Sequence, residues 1–241
     1  MPSYESDLAY IHDAGFGEFS RSAAPGLLKF LGQSEIREGL VVDLGCGSGI
    51  WARALTDAGY EVLGIDLSPE MLKLARKRAP KAKFVEASYL DASLPRCAAV
   101  TSIGECLCYR FDNNNRFSSL RRLFKRVHNA LLPGGIFVFD LAAPGRGSGP
   151  SRRHFKGDDW AIIVEYGEDP RQGILTRRIT TFRETGQSYR RGEEIHQLNL
   201  YDPPSAVAAL RQAGFKVRRL RDYGGIPFPK GLSAFVARRS F

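Results

Sequence analysis

Residues 40–49 read Leu40-Val41-Val42-Asp43-Leu44-Gly45-Cys46-Gly47-Ser48-Gly49, and this stretch decides the fold. Its apolar half is a strand-length run of the kind that parallel sheets bury; three alternate glycines close it, and Ile50–Ala58 continues with helical character. A glycine turn between strand and helix brings a ligand close to bare backbone and to free N–H groups at a helix N-terminus, where the dipole favours anionic groups. Asp66 stands 21 positions after Gly45, at the end of the next apolar run, Glu61–Ile65. An acidic side chain there accepts hydrogen bonds from ribose hydroxyls, so the spacing fits a nucleoside ligand. The nicotinamide fingerprint G-x-G-x-x-G fails, because Ile50 occupies its last glycine position.

Working outward, Ser68 and Pro69 supply an N-cap and a first helical residue for a helix to about Lys77. Strands are predicted at Lys83–Glu86 and Ala98–Ile103, then a helix over Arg116–Ala130, a Pro133-Gly134-Gly135 turn and a strand at Ile136–Asp140. Strands alternating with helices imply parallel pairing and right-handed crossovers. Ahead of this unit, Tyr4–Leu31 has helix-like spacing interrupted at Gly15, Gly17 and Pro25, which predicts two short helices. After Asp140 the rhythm changes. Gly145–Ser151 reads as a linker, and Trp160–Tyr166, Ile174–Phe182 and Ser188–Leu200 read as an antiparallel meander. A helix at Pro204–Ala213 and strands at Lys216–Arg221 and Ser233–Arg238 end the chain.

The 241 residues are 43% hydrophobic and 25% charged, an ordinary globular composition. No apolar run approaches the roughly 18 residues of a membrane helix, and the start, Met1–Asp7, is polar and acidic without a basic or apolar leader region; a cytoplasmic protein with no membrane partner is expected. Cys46, Cys97, Cys106 and Cys108 are too few and too uneven for a disulfide framework, and Cys106-x-Cys108 lacks zinc-knuckle spacing, so reduced thiols and no metal are expected. The net charge of +9 is uneven: through Asp140 there are 17 basic residues against 16 acidic, and from Leu141 onward 18 against 10. Arg177-Arg178, Arg190-Arg191 and Arg218-Arg219 fall largely within predicted strands, where alternation puts one member of each pair on each face, so they form no continuous basic track.

Val41–Gly49 resembles the first motif of class I S-adenosylmethionine-dependent methyltransferases. Gly64-Ile65-Asp66-Leu67-Ser68-Pro69-Glu70-Met71-Leu72 resembles their second, and Leu131-Leu132-Pro133-Gly134-Gly135 the turn before their fifth strand. The resemblance covers about residues 10–140 and 201–238. It implies an α/β, doubly wound, seven-stranded sheet of order 3-2-1-4-5-7-6 with the last strand antiparallel, and an antiparallel β meander inserted after strand 5. The implied division is a helical cap (1–39), a Rossmann-like cofactor-binding core (40–141), a β insertion on the acceptor side (142–200) and completion of the core sheet (201–241). Ser102–Tyr109 and the insertion resemble bacterial methyltransferases that act on small molecules.

The resemblance implies S-adenosyl-L-methionine as cofactor and methyl transfer to a small-molecule acceptor by in-line displacement, with positioning supplying most of the effect. The alternatives are a nucleic-acid methyltransferase and a non-catalytic S-adenosylmethionine-binding protein. Against nucleic acid, the site after strand four reads Ser102-Ile103-Gly104-Glu105 instead of an Asn/Asp-Pro-Pro-aromatic motif. Carried over by position, Gly45, Cys46, Gly47, Gly49 and Gly104 lie along the cofactor, with the methionine moiety against the glycines. Asp43 faces its ammonium, directly or through water, Asp66 holds the ribose, and Leu67 and Met71 pack on the adenine. Where the family commonly has an Asp accepting the adenine amino group, this chain has Ser88, with the Tyr89 backbone an equal candidate. A hydroxyl or ammonium nucleophile needs a base, for which Glu105, His196 and His12 are the candidates. Glu194 and His196, two apart on a strand, share a face. Cys106 and Cys108 read as small buried residues, and Tyr10, Phe16 and Phe19 as core of the cap. If the arginines of the last hundred residues line the pocket, the acceptor carries a carboxylate or phosphate; otherwise their charge has no bearing on substrate.

Overall fold

The computed structural model describes residues 4–240; Met1–Ser3, the first residues of the polar start, and Phe241 lie outside them. Helices α1 (Ser6–Phe16) and α2 (Glu18–Gln33) precede β1 (Leu40–Leu44), α3 (Ile50–Asp57), β2 (Glu61–Asp66), α4 (Pro69–Arg78), β3 (Lys83–Glu86) and β4 (Cys97–Ser102). After them come α5 (Phe117–Ala130), β5 (Leu131–Ala142), β6 (Arg152–Lys156), β7 (Trp160–Asp169), β8 (Ile174–Thr185) and β9 (Ser188–Asn199). The chain ends with α6 (Pro203–Gln212), β10 (Phe215–Leu220) and β11 (Leu232–Arg239).

The central strand β1 buries Val41, Val42 and Leu44 completely, because both faces of its sheet are covered. Strand alternation sends Val42 and Leu44 toward α5 and α6, with Leu120, Phe124, Val127 and Leu210. Val41 goes the other way, toward α2 and α3, with Leu27, Leu31, Trp51 and Leu55. The sheet order is β10-β11-β5-β4-β1-β2-β3, with β11 antiparallel to both neighbours. This is the expected 3-2-1-4-5-7-6, with β10 and β11 as its sixth and seventh strands. The second sheet, β6-β7-β8-β9, is antiparallel throughout. Its Trp160, Ile162, Val164 and Ile179 pack on Leu8 and Ile11 of α1, which holds α1 between the insertion and the core.

Three local expectations need correction. The predicted break at Pro25 does not occur: α2 runs through it, and only Gly17 separates the two helices. Burial of Ala23, Ala24, Leu27 and Leu31 outweighs the proline's local cost of about 3 kcal/mol. Pro133-Gly134-Gly135 is not a turn ahead of the fifth strand but an irregularity inside it: Leu131 pairs with Cys97, and the ladder resumes with Ile136 opposite Ala99. The meander has four strands, not three, because β6 exposes all five side chains and therefore shows no apolar alternation.

Candidate active site

The cleft lies over the carboxyl ends of β1, β2 and β4, where open α/β sheets bind ligands, and has a volume of about 1160 Å³ counting its open mouth. Its floor is the glycine turn. Gly45 takes φ +72°, and a Cβ there would lie 2.5 Å from the Cβ of Cys106. Gly47, at φ +51°, has nothing within 4 Å of its open side, which leaves bare backbone facing the cleft. Asp66 braces this turn, accepting from Gly47 N (2.8 Å) through Oδ2 and from Ser68 N (2.9 Å) through Oδ1. Burial pushes its carboxyl up, against the opposing pull of these N–H donors. Asp43 is buried deeper; Thr101 donates to it (2.7 Å), and Trp51 Nε1 donates to Thr101 (3.1 Å). Burial pushes the Asp43 carboxyl up to about 7.

Among the sequence-derived positions, Asp43, Gly45, Cys46, Gly47, Asp66, Leu67, Met71, Tyr89 and Gly104 line the cleft together. Gly49 lies behind that wall, as the left-handed N-cap of α3, where a Cβ would come within 2.9 Å of Ala75 Cα. Ser88 is not at the wall either: its hydroxyl donates to Asp112 Oδ2 (2.5 Å) and accepts from Leu90 N (3.1 Å). Asp112 itself lines the cleft. The sequence reading missed it because it sits in an irregular loop 46 positions after Asp66, outside every motif.

Of the three candidate bases, only His12 reaches the cleft. The expectation that Glu105 works at the mouth of the fourth strand is not met, because its carboxylate is held by Arg177 Nη2 (2.7 Å) and Arg146 Nε. Burial pushes this carboxyl up, but the two guanidiniums outweigh burial and leave it below the usual carboxylate range. Its backbone, at φ +64°, is fixed by Asp140, which accepts from Gly104 N and Glu105 N and from the Tyr223 hydroxyl. His196 is also buried behind the wall. Its Nε2 lies 2.8 Å from Glu194 Oε2, and Glu194 accepts from the backbone N–H groups of Tyr4 (3.0 Å) and Glu5 (2.9 Å). The Glu194–His196 pair does share a face, and it pins the N-terminal segment. His12 is pushed down to about 4 by burial, so its imidazole is neutral.

The far end of the cleft is aromatic, with Tyr4, His12, Phe16, Phe19, Tyr109 and Phe111. Phe16 and Phe19 therefore do more than fill the cap, whereas Tyr10 bonds Asp159 and stacks under Arg183. Cys106 also lines the cleft, while Cys108 is buried; all four cysteines are free. None of the arginine pairs lines the cleft. Arg190 pairs with Asp7, Arg191 with Glu193, and Arg218 lies over Phe30. Among the described residues no cluster of His, Cys, Asp and Glu could hold a metal ion, and no helix is long and apolar enough to cross a membrane.

A seven-stranded sheet ordered this way, with its cleft over the turn that leaves the central strand, is the fold of class I S-adenosylmethionine-dependent methyltransferases. Residues 41–135 match the family described as Methyltransferase domain, and the chain is an S-adenosylmethionine-dependent methyltransferase. The chain is 25% identical over 245 residues (97% of this chain, 98% of the relative) to the dTDP-3-amino-3,4,6-trideoxy-alpha-D-glucopyranose N,N-dimethyltransferase of Streptomyces venezuelae. It is 26% identical over 249 residues (98% and 94%) to the dTDP-4-amino-2,3,4,6-tetradeoxy-D-glucose N,N-dimethyltransferase of Saccharopolyspora spinosa. Its fold superimposes on the sugar N-methyltransferase of Streptoalloteichus sp. with a TM-score of 0.82, at 18% identity, covering 100% of this chain and 96% of the other.

Proposed function

We propose that the chain methylates a nitrogen of a small-molecule amine, with amino sugars the class best supported. The observation that carries this is the aromatic far end of the cleft, where the one imidazole, His12, is pushed down to about 4 by burial and so is a weak base, and Glu105 is tied to two guanidiniums behind the wall. A hydroxyl nucleophile needs proton removal during transfer, whereas a free amine already offers its lone pair. The two full-length relatives are named as amino-sugar N,N-dimethyltransferases, in line with this reading.

The nucleotide end suits S-adenosylmethionine. Bare backbone at Gly47 faces the cleft, and each Asp66 oxygen, holding one backbone N–H, keeps a second lone pair for a ribose hydroxyl. Asp43 is a buried acid without a cation beside it, suited to the ammonium group, and Leu67 and Met71 suit the adenine faces. We assign the adenine amino group to Asp112 rather than Ser88, because Asp112 lines the cleft and Ser88 only donates to it. Bound there, the cofactor supplies a sulfonium methyl that is electrophilic without acid assistance. The chain's part is to exclude water and align the nucleophile.

The test is incubation with methyl-labelled S-adenosylmethionine and three acceptors: a dTDP-linked amino sugar, its hydroxyl analogue and RNA. Label on nitrogen alone is expected; label on RNA, or on the hydroxyl analogue in preference, overturns the reading. His12→Ala is expected to lower kcat less than tenfold with an amine, since a working base contributes about 10²–10⁴-fold. A loss beyond a hundredfold would make His12 the base.

Asp43 sets a pH dependence. With its carboxyl at about 7 in the free protein, it is largely protonated below that pH, and pairing with an ammonium requires the carboxylate. Affinity for S-adenosylhomocysteine is therefore expected to fall as pH drops below 7, by up to about tenfold per unit. Proton release on binding, measured calorimetrically at pH 6 in two buffers, checks this; binding independent of pH from 6 to 8 contradicts it.

A further inference from the structure

Three residues far apart in sequence form a chain of hydrogen bonds that ends in the cleft. Arg177, on β8, donates through Nη2 to Glu105 and through Nη1 to Tyr109 Oη (3.0 Å), and Tyr109 Oη lies 3.2 Å from Tyr4 Oη. Both tyrosines line the cleft, and Arg177 stands behind them. Proton counting gives this chain a direction. A guanidinium only donates, so Tyr109 Oη accepts from Arg177. The tyrosine pair shares one hydrogen bond and owns two O–H protons, so one proton is left over whichever hydroxyl donates to the other. If Tyr109 donates, the spare proton is on Tyr4; if Tyr4 donates, it is on Tyr109. No other partner takes it among the described residues. Burial raises the titration of both phenols, overcoming the pull of Arg177, so both protons are retained.

We propose that the Tyr109–Tyr4 hydroxyl pair, oriented by Arg177 as a positioning residue, presents a single hydrogen-bond donor to the acceptor and selects amines that carry an oxygen beside the reacting nitrogen. This rests on the amine reading above. The donor serves an oxygen, because the nitrogen's lone pair must remain free to attack. Arg177 acts through Tyr109: anchored by Glu105, it occupies one Tyr109 lone pair and fixes the plane in which the remaining proton swings.

The test uses the full chain loaded with S-adenosylhomocysteine and two matched probes, trans-2-aminocyclohexanol and cyclohexylamine, titrated calorimetrically. The wild type is expected to favour the amino alcohol by about three- to tenfold, the worth of one hydrogen bond. The double variant Tyr4→Phe/Tyr109→Phe, since either single variant leaves one O–H in the cleft, is expected to bring that ratio to about 1 with S-adenosylhomocysteine affinity unchanged, which also reports that the variant folds. Arg177→Lys is expected to lower the ratio in the wild type and to add nothing in the Tyr4→Phe/Tyr109→Phe background, an interaction that a merely structural arginine does not show. Equal affinities for the two probes in the wild type, or no binding of either at millimolar concentration, overturn the proposal. Transfer of labelled methyl to nitrogen in both probes at equal rates would sink this proposal and leave the amine reading standing; absence of any N-methylation would sink that reading instead.

Discussion

Asp66→Ala is expected to weaken S-adenosylhomocysteine binding by two to four orders of magnitude. The carboxylate bridges Gly47 N and Ser68 N, so its removal frees the glycine turn from β2 and α4 as well as deleting the acceptors assigned to the ribose. Hydrogen bonds to a charged group contribute about 1.5–3 kcal/mol each, and the loss of two of them corresponds to about that range of affinity. Asp66→Asn is expected to lie between, because an amide offers one acceptor oxygen where the turn and Ser68 need two. Calorimetric titration decides: binding by Asp66→Ala within tenfold of wild type would remove Asp66 from the cofactor site.

Glu105→Gln is expected to destabilise the fold by about 3–5 kcal/mol, the range seen when one partner of a buried ion pair is removed. Arg177 and Arg146 are 14% and 23% exposed, and without the carboxylate they become neighbouring cations with one amide oxygen between them. At about 2–4 °C per kcal/mol for a chain of this size, the melting temperature falls by about 10 °C. The sign of the pH dependence follows from the carboxyl's depressed titration: its stabilisation is complete above the unfolded carboxylate range and is lost as pH falls through the lower, folded value. Wild type and variant should therefore converge in acid. A variant that melts like wild type yet loses kcat a hundredfold would instead restore Glu105 as the base.

How much of this was legible in the sequence depended on distance along the chain. The Gly45–Gly49 turn and Asp66 were readable because a left-handed backbone at Gly45 and Gly47, and an acid closing the next strand, are short-range requirements written into neighbouring residues. The three candidate bases were a fair list of titratable groups, but composition alone could not rank them. Glu105 is neutralised by arginines 41 and 72 positions away, and His196 is paired to a glutamate that clasps Tyr4, 190 positions distant. Ser88 lies behind the wall, and the loop carrying Asp112, to which it donates, folds back to place its own carboxylate there. Strand β6 left no trace, since a strand with five exposed side chains has no reason to alternate.

By itself the sequence determined the order of strands and helices in the core, the glycine turn and the acid that braces it, because backbone conformation and hydrophobic period are set within a few residues. The tertiary structure alone decided which charges face the cleft. The basic surplus of the last hundred residues proved to be spent on partners such as Asp7, Glu193 and Glu105 instead of the cleft. Buried charges take their partners from whatever the packing of two sheets and a cap helix brings within about 3 Å. No local pattern records that choice, because it is made by segments that meet only in the folded chain.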